Sequence, residues 1–455
     1  MKLLKIILLS GLVAAIGCGE EDETSNANAN ANANANANAN ANANANTNDN
    51  SNGNSNSNGN SNSNDNGNSS GPITEPTTYT FASRFESGSS VVYTGQVSRH
   101  LLILELTDFL KTSDEGDFDG NADEVYDALY TFFDFPAVVS DPTFPISSTS
   151  RVNMPLQTEY GQIGSLASLL QKMPDEDASF KGEGDDENQT IVGYKDGTFT
   201  PTTALEDMFR DYEALILARK NNDFPKDPSG ADITVAFVDE NGIDYSQLIQ
   251  KYLTGAIAYS QAADDYLDDD IPGSGLQSDN TMPVDKNGIK PYSALEHVWD
   301  EGFGYFGAAR NFNDYSDDEI AGKATEDARA DWLGSHDTNN DSMIDFTSEF
   351  NFGHSTNAAK RDSGSAVAID LTKEAFDAFI SGRTLIVNAD GDLSASELSE
   401  LQGYRDTLMG AWEKAIAATV VHYINDTLAD MATFETTDYN FLDHAKPFIS
   451  DQCFA

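Results

Sequence analysis

The chain of 455 residues carries 75 acidic against 26 basic side chains, a formal charge of −49 at pH 7. That balance excludes a nucleic-acid binder, because a phosphate backbone is held by a basic surface. It leaves two readings of the carboxylates: an acidic surface that keeps the protein soluble, or oxygens that collect hard cations.

Residues 1–17 read as a targeting segment. Lys2 and Lys5 precede a short apolar run, Ile6 to Ile16, which ends at Gly17-Cys18. A small residue before a cysteine at this place is the pattern of a bacterial lipoprotein signal, in which Cys18 takes lipid and becomes the new N-terminus. An ordinary secretory signal is the alternative. The run is too short to span a bilayer, and no other stretch is long and apolar enough. Lipid on Cys18 would hold the protein to a membrane. Gly19, and the acidic run Glu20 to Glu23 behind it, favour the outer membrane, on its periplasmic face or at the cell surface. With Cys18 lipidated, Cys453 has no partner in the chain, so a disulfide framework and a cysteine-based zinc site are excluded.

Residues 18–71 read as a disordered tether. Asn-Ala alternation and Asn, Ser, Gly and Asp fill it, with no aromatic and no branched aliphatic residue to build a core. From Pro72 the composition becomes that of a folded domain. Tyr79 to Phe85 is a short extended lead-in. Helical spacing then covers Ser90 to Lys111, Asp123 to Phe133, Gln162 to Met173 and Ala204 to Arg219. Residues 134–158 read as loop, and 174–203 as an acidic, Gly-rich stretch with a hairpin at Thr190 to Phe199. After a turn at Asp239 to Gly242, a long helix is predicted over Tyr245 to Tyr266. Ser316 and Glu319 form a capping box for a helix running towards Trp332, and Ser394 opens the longest one, to Met431. The expected fold is all-α and bundle-like over residues 72–455, as one domain or two subdomains.

The densest chemistry lies in Tyr292 to Ala309, YSALEHVWDEGFGYFGAA. On a helix, Leu295, Val298, Trp299, Gly302, Phe303 and Phe306 share an apolar side. His297 and Glu301, four apart, stack on the other, with Glu296 and Asp300 beside them. A histidine and a carboxylate at that spacing can hold one cation, and a helix with a polar face explains the same residues without one. A metal site needs further ligands. His354 and His422, the latter with Asp426 one turn on, are the candidates, and a histidine within an apolar helix is equally a hydrogen-bonded core residue. If His297, Glu301, His354 and His422 converge, the donor set suits iron or zinc.

A calcium loop is the second candidate. Asp337, Asn339, Asp341 and Asp345 occupy positions one, three, five and nine of a helix-loop-helix calcium motif, and Ile344 stands at position eight. Ser342 replaces the turn glycine, and Glu349 falls at thirteen. Asn388, Asp390 and Asp392 repeat the first half of this pattern, as do Asp117, Asp119, Asn121 and Asp123. No zinc-protease or phosphate-loop motif occurs.

Several uncommon strings occur in order: Tyr93-Thr94-Gly95-Gln96, DENGIDYSQLIQKYLTGA at 239–256, EHVWDEGFGYFG at 296–307, AAKRD at 358–362 and WEKAIAATVVHYIN at 412–425. Through them residues 79–450 resemble the bacterial lipoprotein domain of unknown-function family 4856. More loosely the chain is similar to imelysin-like proteins, which are helical, exported and metal-associated, with a Gly-x-His-x-x-Glu motif. The matching stretch is Leu295 to Asp300, with Leu295 for the glycine and Asp300, followed by Glu301, for the glutamate. The resemblance implies a non-enzymatic metal-binding accessory to iron or metal uptake, working beside an outer-membrane uptake receptor. An envelope metallohydrolase centred on His297 and a calcium-stiffened surface interaction module are the alternatives.

Overall fold

The computed structural model describes residues 72–147, 152–175, 191, 194–195, 197–284, 290–363, 365, 367–389, 391–434 and 436–446. The targeting segment and the tether lie outside them, as does most of the 174–203 stretch. The fold is all-α. Among the described residues no strand forms, and extended segments meet only at isolated bridges such as Ala82 with Ser89. No described helix is long and apolar enough to cross a membrane.

Local chemistry fixes the helix starts. α1, Thr94–Thr112, follows the buried lead-in and buries Val97, Leu101, Leu102, Leu106, Phe109 and Leu110. α2 is Glu124–Phe133. α3, Pro201–Lys220, has proline in its first turn and Thr200 accepting from the Thr203 amide. α4, Tyr245–Leu253, is capped by Asp244 and runs on through two π-helical stretches, Thr254–Tyr259 and Ala262–Tyr266. α5, Ala294–Phe306, has a reciprocal Ser293–Glu296 capping box, and Gly307 ends it at φ 84°, a left-handed position that suits glycine. α6 is Gly353–Ser363. α7, Leu371–Asn388, is capped by Asp370. α8, Ala395–Met431, starts at the predicted Ser394–Glu397 box and runs 37 residues.

α7 and α8 pack along each other, α6 lies against both, and α5 is held between α1 and α7. The centre is aromatic. Tyr79 of the lead-in stacks on Phe303 at 3.7 Å, Phe379 meets Phe303 edge-on at 5.4 Å, and Trp412 meets Phe306 at 5.2 Å. Each such ring, buried, contributes roughly 1.5–3 kcal/mol. At Gly382, a β-carbon would overlap the Trp299 ring, so this glycine lets α7 approach α5 closely.

Two predicted helices are cut short, and a third keeps its length with a different hydrogen-bond pattern. Gln162 to Met173 forms only the short turns Tyr160–Gln162 and Leu170–Lys172, because its side chains wrap the core irregularly and Gly161 packs on Pro142. The Ser316 helix has its capping box but stops after Asp317–Ile320. Gly322 turns left-handed, and Arg329 folds back to clamp Glu319. Tyr245 to Tyr266 is one rod, as expected, with its second half π-helical. Helices α6 and α7 are additions to the predicted series.

Candidate functional site

α5 is buried on more sides than its apolar arc requires. Leu295, Trp299, Phe303 and Phe306 enter the core, and Glu296 and Asp300 are also fully buried. The two carboxylates therefore leave the outward side, where His297 and Glu301 stay half-buried.

Arg383 of α7 meets them. Its Nε donates to Asp300 Oδ1 at 2.9 Å, Nη1 to Glu296 Oε1 at 2.9 Å, and Nη2 to the Ser90 hydroxyl at 2.8 Å. Tyr79 donates its hydroxyl to the same Asp300 oxygen at 2.8 Å. Arg84 reaches Glu296 at 3.2 Å and also donates to Asn280. Two guanidiniums thus face two carboxylates, a formally neutral set. Burial works against the Glu296 charge, yet Arg383 and Arg84 together hold its carboxyl below the ordinary range. Burial pushes Asp300 up in spite of Arg383, and its Oδ2 has no hydrogen-bond donor among the described residues. The Arg383 guanidinium is held charged by the same carboxylates. The arrangement satisfies buried charge with buried charge. A cation seated here would meet the guanidiniums first.

His297 stacks on Tyr292 at 4.3 Å, and its Nε2 lies 3.7 Å from Glu301 Oε2. Glu301 also accepts from Gln96 of α1 at 3.0 Å. His354 is elsewhere in the core, between Tyr259 and Trp412. Its Nε2 donates at 3.1 Å to the Thr254 carbonyl, where α4 turns π-helical, so that nitrogen carries a proton. Burial pushes its pKa down to about 3. His100 donates likewise to the Gly304 carbonyl, with burial lowering it to about 4. His422 is exposed on α8 and pairs with Asp426 at 3.2 Å. His297 and Glu301 are thus a pair, and His354 and His422 have different neighbours. Among the described residues no group of three or more His, Cys, Asp or Glu side chains is arranged to hold a metal ion.

The Asp337 loop is built from its own amides. Asp337 accepts from the Asp341 and Ser342 amides at 3.2 and 2.8 Å, Asn339 from Asp341 at 2.8 Å, and Asp341 from Met343 at 2.8 Å. Asn340 and Ser342 are left-handed, at φ 62° and 70°, so the serine at the turn position adopts the conformation that glycine would favour. Ile344 bridges to Pro155 in parallel and pairs with Met154 and Leu156. Asp345 is already engaged by Gln157, Thr347 and Ser348, and Glu349 by Thr338 and the Asp345 amide. Asn339 and Asp341 are exposed, and Asp337 is part-buried. In the Asp117 loop, Glu124 instead caps the amides of Asp119, Gly120 and Asn121, and Asp123 pairs with Arg210. Asp392 accepts from the Asn280 amide, and Asp390 lies outside the described residues.

Sequence reasoning missed Arg383, Arg84, Tyr79 and Asn280. The signal for Arg383 is local: one arginine in FDAFISGRTLIV, on a face otherwise made of Phe376, Phe379, Ile380 and Ile386. No curated protein and no solved structure matches the chain. The family model described as "Domain of unknown function (DUF4856)" matches residues 226–451, the span that holds α4 to α8, the Asp337 loop and Arg383. Through those residues the chain belongs to the DUF4856 family.

Proposed function

We propose that this is a lipid-anchored cell-envelope protein whose helical domain is an interaction module stiffened by calcium at the Asp337 loop. The observation that carries this reading is the loop backbone. Two left-handed residues at positions four and six turn the chain so that successive side chains cap their own loop, with Asn339 and Asp341 exposed and Asp337 part-buried beside them. Calcium takes oxygen donors of this kind in flexible geometry. Asp337, Asn339 and Asp341 would supply them, while Asp345 and Glu349 hold the loop closed. The envelope part of the reading rests on the Lys2 to Cys18 segment and on the Asn-rich stretch after it.

A second reading is supported by the His297–Glu301 pair: a transition metal such as iron or zinc, in an accessory to metal uptake. Two donors bind weakly, and the adjacent carboxylates are occupied by Arg383, so this reading needs donors brought by a metal complex. Metal analysis and thermal melts of the purified protein separate the two. Calcium that raises the melting temperature, with the rise abolished by Asp337→Ala and Asp341→Ala, supports the first. One iron or zinc per chain, lost in His297→Ala with calcium inert, overturns it in favour of the second.

A further inference from the structure

Helix α8 changes character along one side. With Val421 at heptad position a, the outward side of its first half carries Gly403, Thr407, Gly410 and Lys414, small or polar residues of a solvated face. Thr419 is the last buried residue of the helix. Beyond it the same side carries Val421, Ile424, Leu428 and Met431, which are 56, 40, 59 and 46% exposed. Their spacing of three, four and three is that of an a/d seam, the pattern by which two helices interlock.

The surroundings of the stripe select the occupant. The flanking e and g positions are Ala418, Val420, Asn425, Thr427 and Ala432, all uncharged. The charged residues Asp426 and Asp430 sit at f and c, away from the seam. In a chain of formal charge −49, most other appositions of two copies bring carboxylates together. An anionic bilayer is disfavoured, because no lysine or arginine lies between Lys414 and Met431. The four side chains expose on the order of 400 Å², well within the range of the largest patches monomers show. Together with the small flanking residues they approach the roughly 800 Å² per partner that a standard interface buries.

We propose that this stripe is the seam of a homodimer, in which α8 of one copy packs on α8 of a second. A two-fold axis sets the same uncharged patch against itself, and the a/d spacing of each copy supplies the knobs for the other.

Sedimentation velocity of the full chain in a nonionic detergent, across the micromolar range, tests this. The expected result is a species of twice the chain mass. Ile424→Lys with Leu428→Lys should weaken association at least tenfold with helical content unchanged, whereas Leu428→Met should retain it. Lysine lowers the net negative charge, so loss of the dimer cannot come from greater overall repulsion. A monomer throughout, or a dimer indifferent to the double substitution, overturns the proposal. So does a monomer that dimerises only when residues 447–455 are removed, since the chain's own end would then be the occupant.

Discussion

Two regions of this molecule offer similar acidic chemistry in sequence and opposite situations in space. Around α5, Glu296 and Asp300 are fully buried and matched by Arg383 and Arg84. In the Asp337 loop, Asp337, Asn339 and Asp341 are folded over backbone amides, the latter two exposed to solvent. The first region brings its own cations. The second supplies only N–H dipoles and leaves negative charge to be matched from outside. What separates a structural carboxylate from a candidate ligand here is whether the chain has already provided the counter-charge.

That contrast can be broken most forcefully at Arg383. Arg383→Met leaves Asp300 and Glu296 in the core with only Arg84 nearby, and should cost about 3–5 kcal/mol in urea unfolding. Adding Glu296→Gln and Asp300→Asn should recover most of it. A single-variant cost no larger than that of a surface substitution would show that the set is not closed. On the other side of the comparison, calcium at a hundredfold excess over its dissociation constant should stabilise the protein by about 2.7 kcal/mol, read as a shift in melting temperature. Asp341→Ala should remove that shift while leaving the metal-free melt within about 0.5 kcal/mol.

Acid sharpens the contrast further. His354 is buried neutral, its pKa lowered to about 3 from an ordinary 6.5, so its contribution is complete above pH 6.5 and is lost as pH falls towards 3. His100 acts in the same direction. Each should cost up to about 1.4 kcal/mol per pH unit, most cleanly between pH 6.5 and about pH 5, before carboxylate protonation relieves the acidic self-repulsion. Relative to the wild type, His354→Gln should flatten that slope, and an unchanged slope would place the acid sensitivity elsewhere. The smallest effect is expected at His297→Ala. Its part-buried pair with Glu301, at 3.7 Å, should be worth about 1 kcal/mol or less in unfolding measurements, and a larger loss would mark it as more than a weak ion pair.

The parts of the fold legible in sequence are those with local causes. α8 announced itself by Ser394, Glu397 and the spacing of Leu401, Leu408 and Trp412, and α5 by its apolar arc. The acidic spacing of the Asp337 loop was legible and its amide caps are local, but the hold of Gln157 on Asp345 and the bridge from Ile344 to Pro155 come from far along the chain. The buried network was not legible. Helical period places Glu296 and Asp300 at the edge of the apolar arc, but their inward turn depends on Arg383, eighty-three residues away from Asp300 on a helix that was not predicted. The Gln162 and Ser316 predictions ran too long because spacing carries no information about Arg329 folding back on Glu319, or about Gly161 packing on Pro142.

The extended lead-in has a mechanical consequence. Ile73 exchanges two hydrogen bonds with the Asn388 side chain, Glu75 accepts from Ser381, and Tyr79 is clasped by Arg310, Asp300 and the Phe303 ring. A pull arriving from the N-terminal side is therefore met by successive clips along α7 and then by the core itself. The segment behaves as a strap riveted to the body. Tension on it would load α7 through these clips and would have to draw Tyr79 out of the aromatic centre before the strap came free.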